Sequence, residues 1–463
     1  MDYDVLILGG GLIGCAIAYE LSKYSLNIAL IEKDYDIADD VAIVNSSIIY
    51  DGVQCDNNIM SKLESIGNNI INELVSKFNL PYTQKSSLII AQNEKEEKRL
   101  EEMYNRAIKR GISNIALLDG KYAYELEPNL NLKVNKALYS ENTGVICPCD
   151  LAIAYGEVAF DNGVTFKLEE EVKDIQKLNR GYKVITNKNK FKCRMVINTT
   201  PEDYNVDGVK EKTYKNKGYL KYFLIEKSFK GHFSNIVFCF NEDQEMMCMC
   251  PTVQENHLVA INTKKDTNYN ECYEKVNYLI CGLKSSDINT FYEVPFYDNN
   301  IVIDDSLVHD GYIKITGKNY AEVTMTAAIA QIVKDTIINN LNCKFKSDFN
   351  DKRREIYRFR DLSNEERKKI INLDEKYGKI ICACNKVTEG EIVDAIRRPL
   401  GARTVEGVKR RTGAGYGNCR GAYCMSKIVS ILARETNKDL TDIVKDSKKS
   451  KILLNRIKEF DEM

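Results

Sequence analysis

No tryptophan occurs among the 463 residues, and only three histidines do: His232, His257 and His309. None of the three falls in a motif, so imidazole chemistry is not expected at the centre of the function. Seven prolines exclude a proline-rich spacer. An excess of one charge is also missing: 66 Lys and Arg oppose 67 Asp and Glu. That balance excludes the basic footprint of a nucleic-acid binder. No apolar run approaches the ~20 residues of a membrane helix. The opening Met1-Asp2-Tyr3-Asp4 has no basic segment and enters a strand pattern directly, which argues against a secretory signal. Fifteen cysteines without such a signal point to the reducing cytoplasm. Their odd number and irregular spacing argue against a disulfide framework. With 44% hydrophobic and 29% charged residues, the chain reads as a globular protein of two to three domains.

Four of the cysteines are tightly spaced. Cys382 and Cys384 are followed, thirty-four residues on, by Cys419 and Cys424, a C-x-C-x34-C-x4-C pattern. Two thiolate pairs brought together select zinc or an iron–sulfur cluster. Structural zinc favours C-x2-4-C, so this spacing leans to [2Fe–2S]. The glycines around Tyr416 let backbone N–H groups approach the sulfurs. Lys409-Arg410-Arg411 beside them reads as a solvated helix face, or as a patch that tunes the cluster or docks an acidic partner. Cys147-Pro148-Cys149 and Cys248-Met249-Cys250 read as small apolar filler rather than a second metal site.

At the other end, Asp4 to Leu8 reads as a buried parallel strand, followed at once by Gly9-Gly10-Gly11-Leu12-Ile13-Gly14. A helix pattern from Cys15 to Lys23 and a strand from Asn27 to Ile31 ending at Glu32 complete a dinucleotide unit. Gly9 makes the turn, Gly11 admits the pyrophosphate and Gly14 lets helix and strand pack. Glu32, with Lys33 beside it, faces the adenosine ribose. The pattern demands an ADP-containing cofactor and does not by itself separate FAD from NAD.

Between the two ends, helices are expected at 59–78, 94–110, 150–162 and 324–339. Strands are expected at 86–92, 163–168, 172–175, 195–198 and 312–316, with a hairpin of 182–186 against 190–196. Residues 206–300 alternate short strands and turns, as an antiparallel sheet does. Residues 344–378 look like a charged connector with few apolar anchors. Helices at 388–397, 404–411 and 425–433 surround the cysteine pairs, and residues 437–463 form a charged helical tail.

The segment around the cysteine pairs resembles a bacterioferritin-associated-ferredoxin-like [2Fe–2S] domain, through Ile381 to Cys384, Val387 to Ile392, Arg403 to Thr412 and Gly417 to Cys424. The first 340 residues resemble the glycerol-3-phosphate dehydrogenase and 2-hydroxyglutarate oxidase branch of the D-amino-acid-oxidase-like flavoproteins. The glycine unit with Glu32, Leu126 to Leu130, Thr143 to Ile146 and Val172 carry that likeness. The resemblance implies an α/β fold: a three-layer, Rossmann-like FAD-binding domain with an inserted antiparallel-sheet substrate domain, and a small helical [2Fe–2S] domain. It implies FAD as the cofactor, with the Val172 backbone at the adenine. The expected divisions are 1–80 with 141–205 and 301–343 for FAD, 81–140 with 206–300 for the substrate cap, 344–378 for the connector, and 379–436 for the cluster.

The departures from that family fall at the flavin. Where relatives carry Asn-Ser-Gly-x-x-His, this chain has Asn45 to Tyr50, with Ser47 for glycine and Tyr50 for histidine. Pro201 ends a strand where relatives keep backbone N–H groups. Lys284 replaces an arginine that grips the substrate anion. Glu322 stands for a glycine near the flavin pyrimidine, where a carboxylate opposes the charge of reduced flavin. Lys284 is the expected anion anchor, and Tyr50 packs or donates a hydrogen bond. The expected activity is oxidation of a small hydroxy acid or polyol phosphate, hydride passing to flavin and then single electrons through the cluster to a protein. That acceptor is a pyridine-nucleotide-dependent flavoprotein or a quinone-linked subunit. The alternatives are a non-catalytic electron-transfer or regulatory subunit and an amine- or proline-type dehydrogenase subunit.

Overall fold

The computed structural model describes residues 1–39, 46–204, 206, 218–241, 245–263, 266–280, 282–296 and 300–454. The apolar run at the N-terminus forms the strand Tyr3–Leu8, in the middle of a parallel array. It pairs with Ile28–Ile31 on one side and Lys190–Asn198 on the other. Thr165–Lys167 and Tyr312–Lys318 extend the array outward. The alternation of the strand sorts its side chains into two cores. Val5 and Ile7 join the core under the helices. Leu6 and Leu8 pack with Tyr182 and Val184, which lie on a hairpin over the opposite face. Helix, sheet and hairpin therefore form three layers. Helix Leu12–Ser22 buries nearly every residue, as a helix covered on all sides must. Pro148–Asp161 and Glu322–Leu341 flank it, and Asn58–Lys77 packs on the latter. At Gly67 a Cβ would lie 1.8 Å from the Thr324 carbonyl oxygen, so only glycine allows that approach.

The second large sheet has eight strands. It combines Ser87–Ala91, Ile115–Asp119 and Lys136–Ser140 with five strands between Gly218 and Phe296. The two stretches meet where Ser87–Ala91 runs parallel to Ile236–Phe240; the sheet's other pairings are antiparallel.

Beyond Asn342, residues 344–378 are held more firmly than their polar composition suggests. Arg353 is buried, its guanidinium paired with Asp150 at 2.8 Å and Glu157 at 2.6 Å. Arg398, from the C-terminal unit, meets the same Glu157 at 3.0 Å. Ion pairs anchor this segment where apolar residues are few. The C-terminal unit is built of helices Glu389–Arg397, Val405–Thr412 and Met425–Thr436 around their own core. Thr388 and Glu391 form a capping box, and the Thr404 hydroxyl accepts the Gly407 N–H.

The tail differs from the expected helix. Asn437 takes a left-handed conformation (φ 52°) that ends the preceding helix. Leu440–Asp442 then makes one 3-10 turn. The carbonyls of Val444 and Lys445 accept the N–H groups of Val405 and Glu406, so the backbone is used as a docked strap. The last nine residues of the expected tail lie outside the described residues.

Candidate active site and cluster site

A cavity of about 630 Å³ opens over the C-terminal edge of the parallel strands. Its floor is the glycine turn. Gly9 has φ 101°, and at Gly14 a Cβ would sit 2.0 Å from the Gly9 carbonyl oxygen. Among the described residues nothing lies within 4 Å of a Cβ built on Gly11. Among the described residues no side chain caps helix Leu12–Ser22, which leaves its first-turn N–H groups for an anion. These features fit an ADP pyrophosphate.

Glu32 Oε2 accepts the Gly10 N–H at 2.6 Å and Oε1 accepts the Asp34 N–H at 2.9 Å. Burial raises its pKa, and those backbone donors oppose the rise. Lys33 lies at the mouth, 3.5 Å from Glu202, with both side chains exposed. Val172 lines the far end, where the register shifts between Val172 and Asp174. The cavity runs from there past the glycines to Glu322, so a whole dinucleotide has room.

The altered residues at the flavin end have physical readings. Ser47 sits at φ 62°, the left-handed region that explains a glycine in relatives. Asn45 lies outside the described residues. Pro201 removes one N–H, but the strand end stays satisfied: Thr199 N–H donates to Leu8 and Thr200 N–H to the Asn198 side chain. Glu322 lines the cavity at the first turn of Glu322–Leu341. Burial pushes its pKa up to about 7, against a weaker pull from Lys318. The expected clash with reduced flavin is thereby eased, because a neutral carboxyl is accessible near neutral pH.

Tyr50 is buried, its hydroxyl 3.2 Å from Ser46 Oγ and its ring edge-on to Tyr320 at 4.9 Å. Burial carries the Tyr50 phenol well above its ordinary range, so it is a hydrogen-bond donor and not a base. Lys284 is exposed in the turn before Ile288–Phe296 and does not line this cavity.

Glu64 carries no signal in the sequence. It is fully buried, Tyr320 donates to its Oε1 at 2.9 Å, and among the described residues its Oε2 has no hydrogen-bond partner. Burial raises its pKa to about 8. Glu64 lies on a helix with no motif around it, so only the fold brings it beside Tyr320.

His232 and His257 stack with their Nδ1 atoms 3.0 Å apart, and His257 is pushed down to about 4 by burial. No histidine lines the cavity. Cys248 and Cys250 are buried in one strand, and Cys149 is buried at the first turn of Pro148–Asp161.

The four C-terminal cysteines lie together as two pairs. Cys384 Sγ is 3.6 Å from Cys419 Sγ, and the Cys382 thiol interacts with that of Cys424. Cys382 and Cys424 are each 1% exposed, whereas Cys384 is open to solvent. The backbone N–H groups of Gly421 and Tyr423 hold the Cys419 thiol below its usual range, whereas burial raises that of Cys424 to about 11. A Cβ at Gly417 would come 2.2 Å from Cys384 Cβ. Among the described residues no three His, Cys, Asp or Glu side chains converge on a single-ion site. Two thiol pairs fit a two-iron cluster, with two thiolates for each iron, better than one tetrahedral zinc.

Arg410 and Arg411 are not a solvated face. Arg411 grips the carboxylate of buried Asp36 with two bonds of 2.6 and 2.7 Å. Arg410 reaches Asp39 at 2.5 Å and Asp446 at 3.2 Å. These arginines dock the cluster unit onto the loop that follows Glu32.

Comparison with known proteins matches residues 4–336 to the family described as FAD dependent oxidoreductase. Residues 380–434 match the BFD-like [2Fe-2S] binding domain. The chain is 33% identical to a glycerol 3-phosphate dehydrogenase of Caloramator mitchellensis, over 97% of this chain and 98% of that protein. It is 33% identical to a glycerol 3-phosphate oxidase of Mycoplasma pneumoniae, over 42% of this chain and 53% of the other. Among solved structures, the FAD-bound, dithionite-reduced L-alpha-glycerophosphate oxidase of Mycoplasma pneumoniae superposes with a TM-score of 0.67. It does so at 23% identity, covering 77% of this chain and 99% of that one. The L-proline dehydrogenase of P. horikoshii superposes with a TM-score of 0.64 at 19% identity, over 75% and 95%. Among the described residues no helix is long and apolar enough to cross a membrane.

Proposed function

Because this chain belongs to the FAD dependent oxidoreductase family, we propose that it oxidises the carbinol of a small anionic alcohol, glycerol 3-phosphate foremost, and passes the electrons through a [2Fe–2S] cluster to a protein acceptor. The observation that carries this reading is the end-to-end likeness to a glycerol 3-phosphate dehydrogenase, which spans both the nucleotide unit and the cluster segment. Bound FAD supplies a hydride acceptor, and the cluster supplies one-electron steps.

The chain's own residues then divide the work. Gly11 and the uncapped helix behind it hold the pyrophosphate, Glu32 and Lys33 flank the ribose, and the Val172 backbone meets the adenine. Glu322 in its neutral form leaves negative charge at the flavin unopposed. The Tyr50 hydroxyl orients a substrate oxygen by donating to it. Cys382, Cys384, Cys419 and Cys424 ligate the cluster. The Lys284 ammonium, exposed on the cap, is kept as an anion anchor only for a cap that closes on substrate.

Anaerobic mixing of the holoprotein with glycerol 3-phosphate, L-2-hydroxyglutarate and proline in turn tests the substrate. Bleaching of the flavin by glycerol 3-phosphate alone is expected. Bleaching by dithionite but by none of the three would contradict a dehydrogenase of this class, and bleaching by proline alone would move it to the amine-oxidising branch.

A further inference from the structure

The cluster pairs are not equally placed: Cys382 and Cys424 are buried, while Cys384 is exposed and Cys419 half-buried. One end of the cluster site therefore meets solvent. The two segments that carry the four cysteines bear charge of a single sign. Residues 379–387 and 413–433 contain Lys379, Lys386, Arg420 and Lys427 and no aspartate or glutamate. All four are exposed. No ion pair is formed by Lys379, Lys386 or Lys427 among the described residues. Arg420 is held in place by one bond from Nη2 to the Ile288 carbonyl oxygen at 3.0 Å. Tyr423, one residue before Cys424, is 80% exposed and Ile380, two residues before Cys382, is 51% exposed. The arginines that neutralise the protein's own acids, Arg410 and Arg411, are buried against Asp36 and Asp39 and belong to the docking contact instead.

We propose that this face, basic and tipped by Tyr423, is the docking surface for an acidic one-electron carrier protein. The proposal rests on the reading that the cluster delivers electrons outward. Opposite charge would steer the encounter, and the exposed tyrosine and isoleucine supply the desolvated centre of a small transient interface. A second copy of this chain would meet the same positive charge and be repelled. Each docking passes one electron: the reduced cluster is oxidised and the carrier reduced. Two carriers clear the pair released by one substrate.

The test uses full-length holoprotein, reduced with dithionite and freed of excess reductant without oxygen, so it does not depend on any substrate. It is mixed with cytochrome b5, an acidic haem carrier, or with cytochrome c, a basic one. Transfer to cytochrome b5 is expected to be the faster at low salt and to slow as salt rises. Combined Lys379→Glu, Lys386→Glu and Lys427→Glu should lower that rate constant on the order of tenfold at low salt and raise the rate to cytochrome c. Unchanged iron content would show that the variant keeps its fold. Rates to cytochrome b5 that ignore both salt and the charge reversals would overturn the docking surface. Transfer to neither carrier would overturn the outward-electron reading beneath it.

Discussion

Glu322 shows how one residue changes meaning between sequence and structure. As a letter it is a carboxylate where a reduced flavin carries negative charge. In the fold, burial lifts its pKa from the ordinary 4.5 to about 7. The sign of the consequence follows. Below pH 4.5 folded and unfolded chains both hold the proton, so the residue is neutral to stability. As pH rises to 7 the unfolded chain sheds its proton first, and the folded state bears a growing cost that is complete above pH 7. Glu322→Gln should therefore leave the melting temperature of flavin-free protein unchanged at pH 4 and raise it at pH 8. Equal effects at both pH values would mean the carboxyl is not desolvated. Tyr50 and Glu64 sit at the limits of legibility. Tyr50 could be placed from its neighbours in the chain, because Ser46 to Asp51 is a local motif. Glu64 could not, since its partner Tyr320 is 256 positions away. The glycines and the four cysteines were readable because each acts through backbone spacing. Lys284 was placed by motif alone, and its exposure depends on how the cap folds.

At the scale of elements, helix Val405–Thr412 has two jobs. Its C-terminal turn leads into the glycine loop of Cys419, and its Arg410 and Arg411 are buried against Asp36, Asp39 and Asp446. Asp36 follows Glu32 by four residues, so the loop beside the ribose acid is clamped by the cluster unit. Asp36→Ala would leave the Arg411 guanidinium buried without its carboxylate, at a cost of about 3–5 kcal/mol. The expected result is a lowered melting temperature together with release of the C-terminal unit by brief proteolysis, and a fully protease-resistant variant with wild-type melting would refute the clamp. In the sequence this basic triplet is indistinguishable from a solvated face, because the Asp36 that Arg411 grips lies 375 residues upstream. The central strands and the helix Glu94–Lys109 were legible for the opposite reason: their patterns are local, period two or 3.6, and tertiary contacts merely reinforce them. The tail failed as a helix because its backbone carbonyls are engaged by Val405 and Glu406, contacts that charge composition does not encode.

Over the whole molecule, the nucleotide cavity and the cluster site lie in separate cores joined by buried ion pairs, Arg353 and Arg398 on Glu157 and Arg411 on Asp36. Cys419→Ser should remove the iron and leave FAD bound, since none of the cavity's lining residues is a cluster cysteine; retained iron with an unchanged spectrum would break the ligand assignment. The most direct test of the whole account is an anaerobic titration of the holoprotein with glycerol 3-phosphate, following flavin absorbance and the paramagnetic signal of the reduced cluster together. The account predicts that the flavin bleaches and the cluster signal rises with the same additions of substrate. A flavin that bleaches while the cluster stays oxidised, although dithionite reduces it, would contradict the claim that the two cofactors form one electron path.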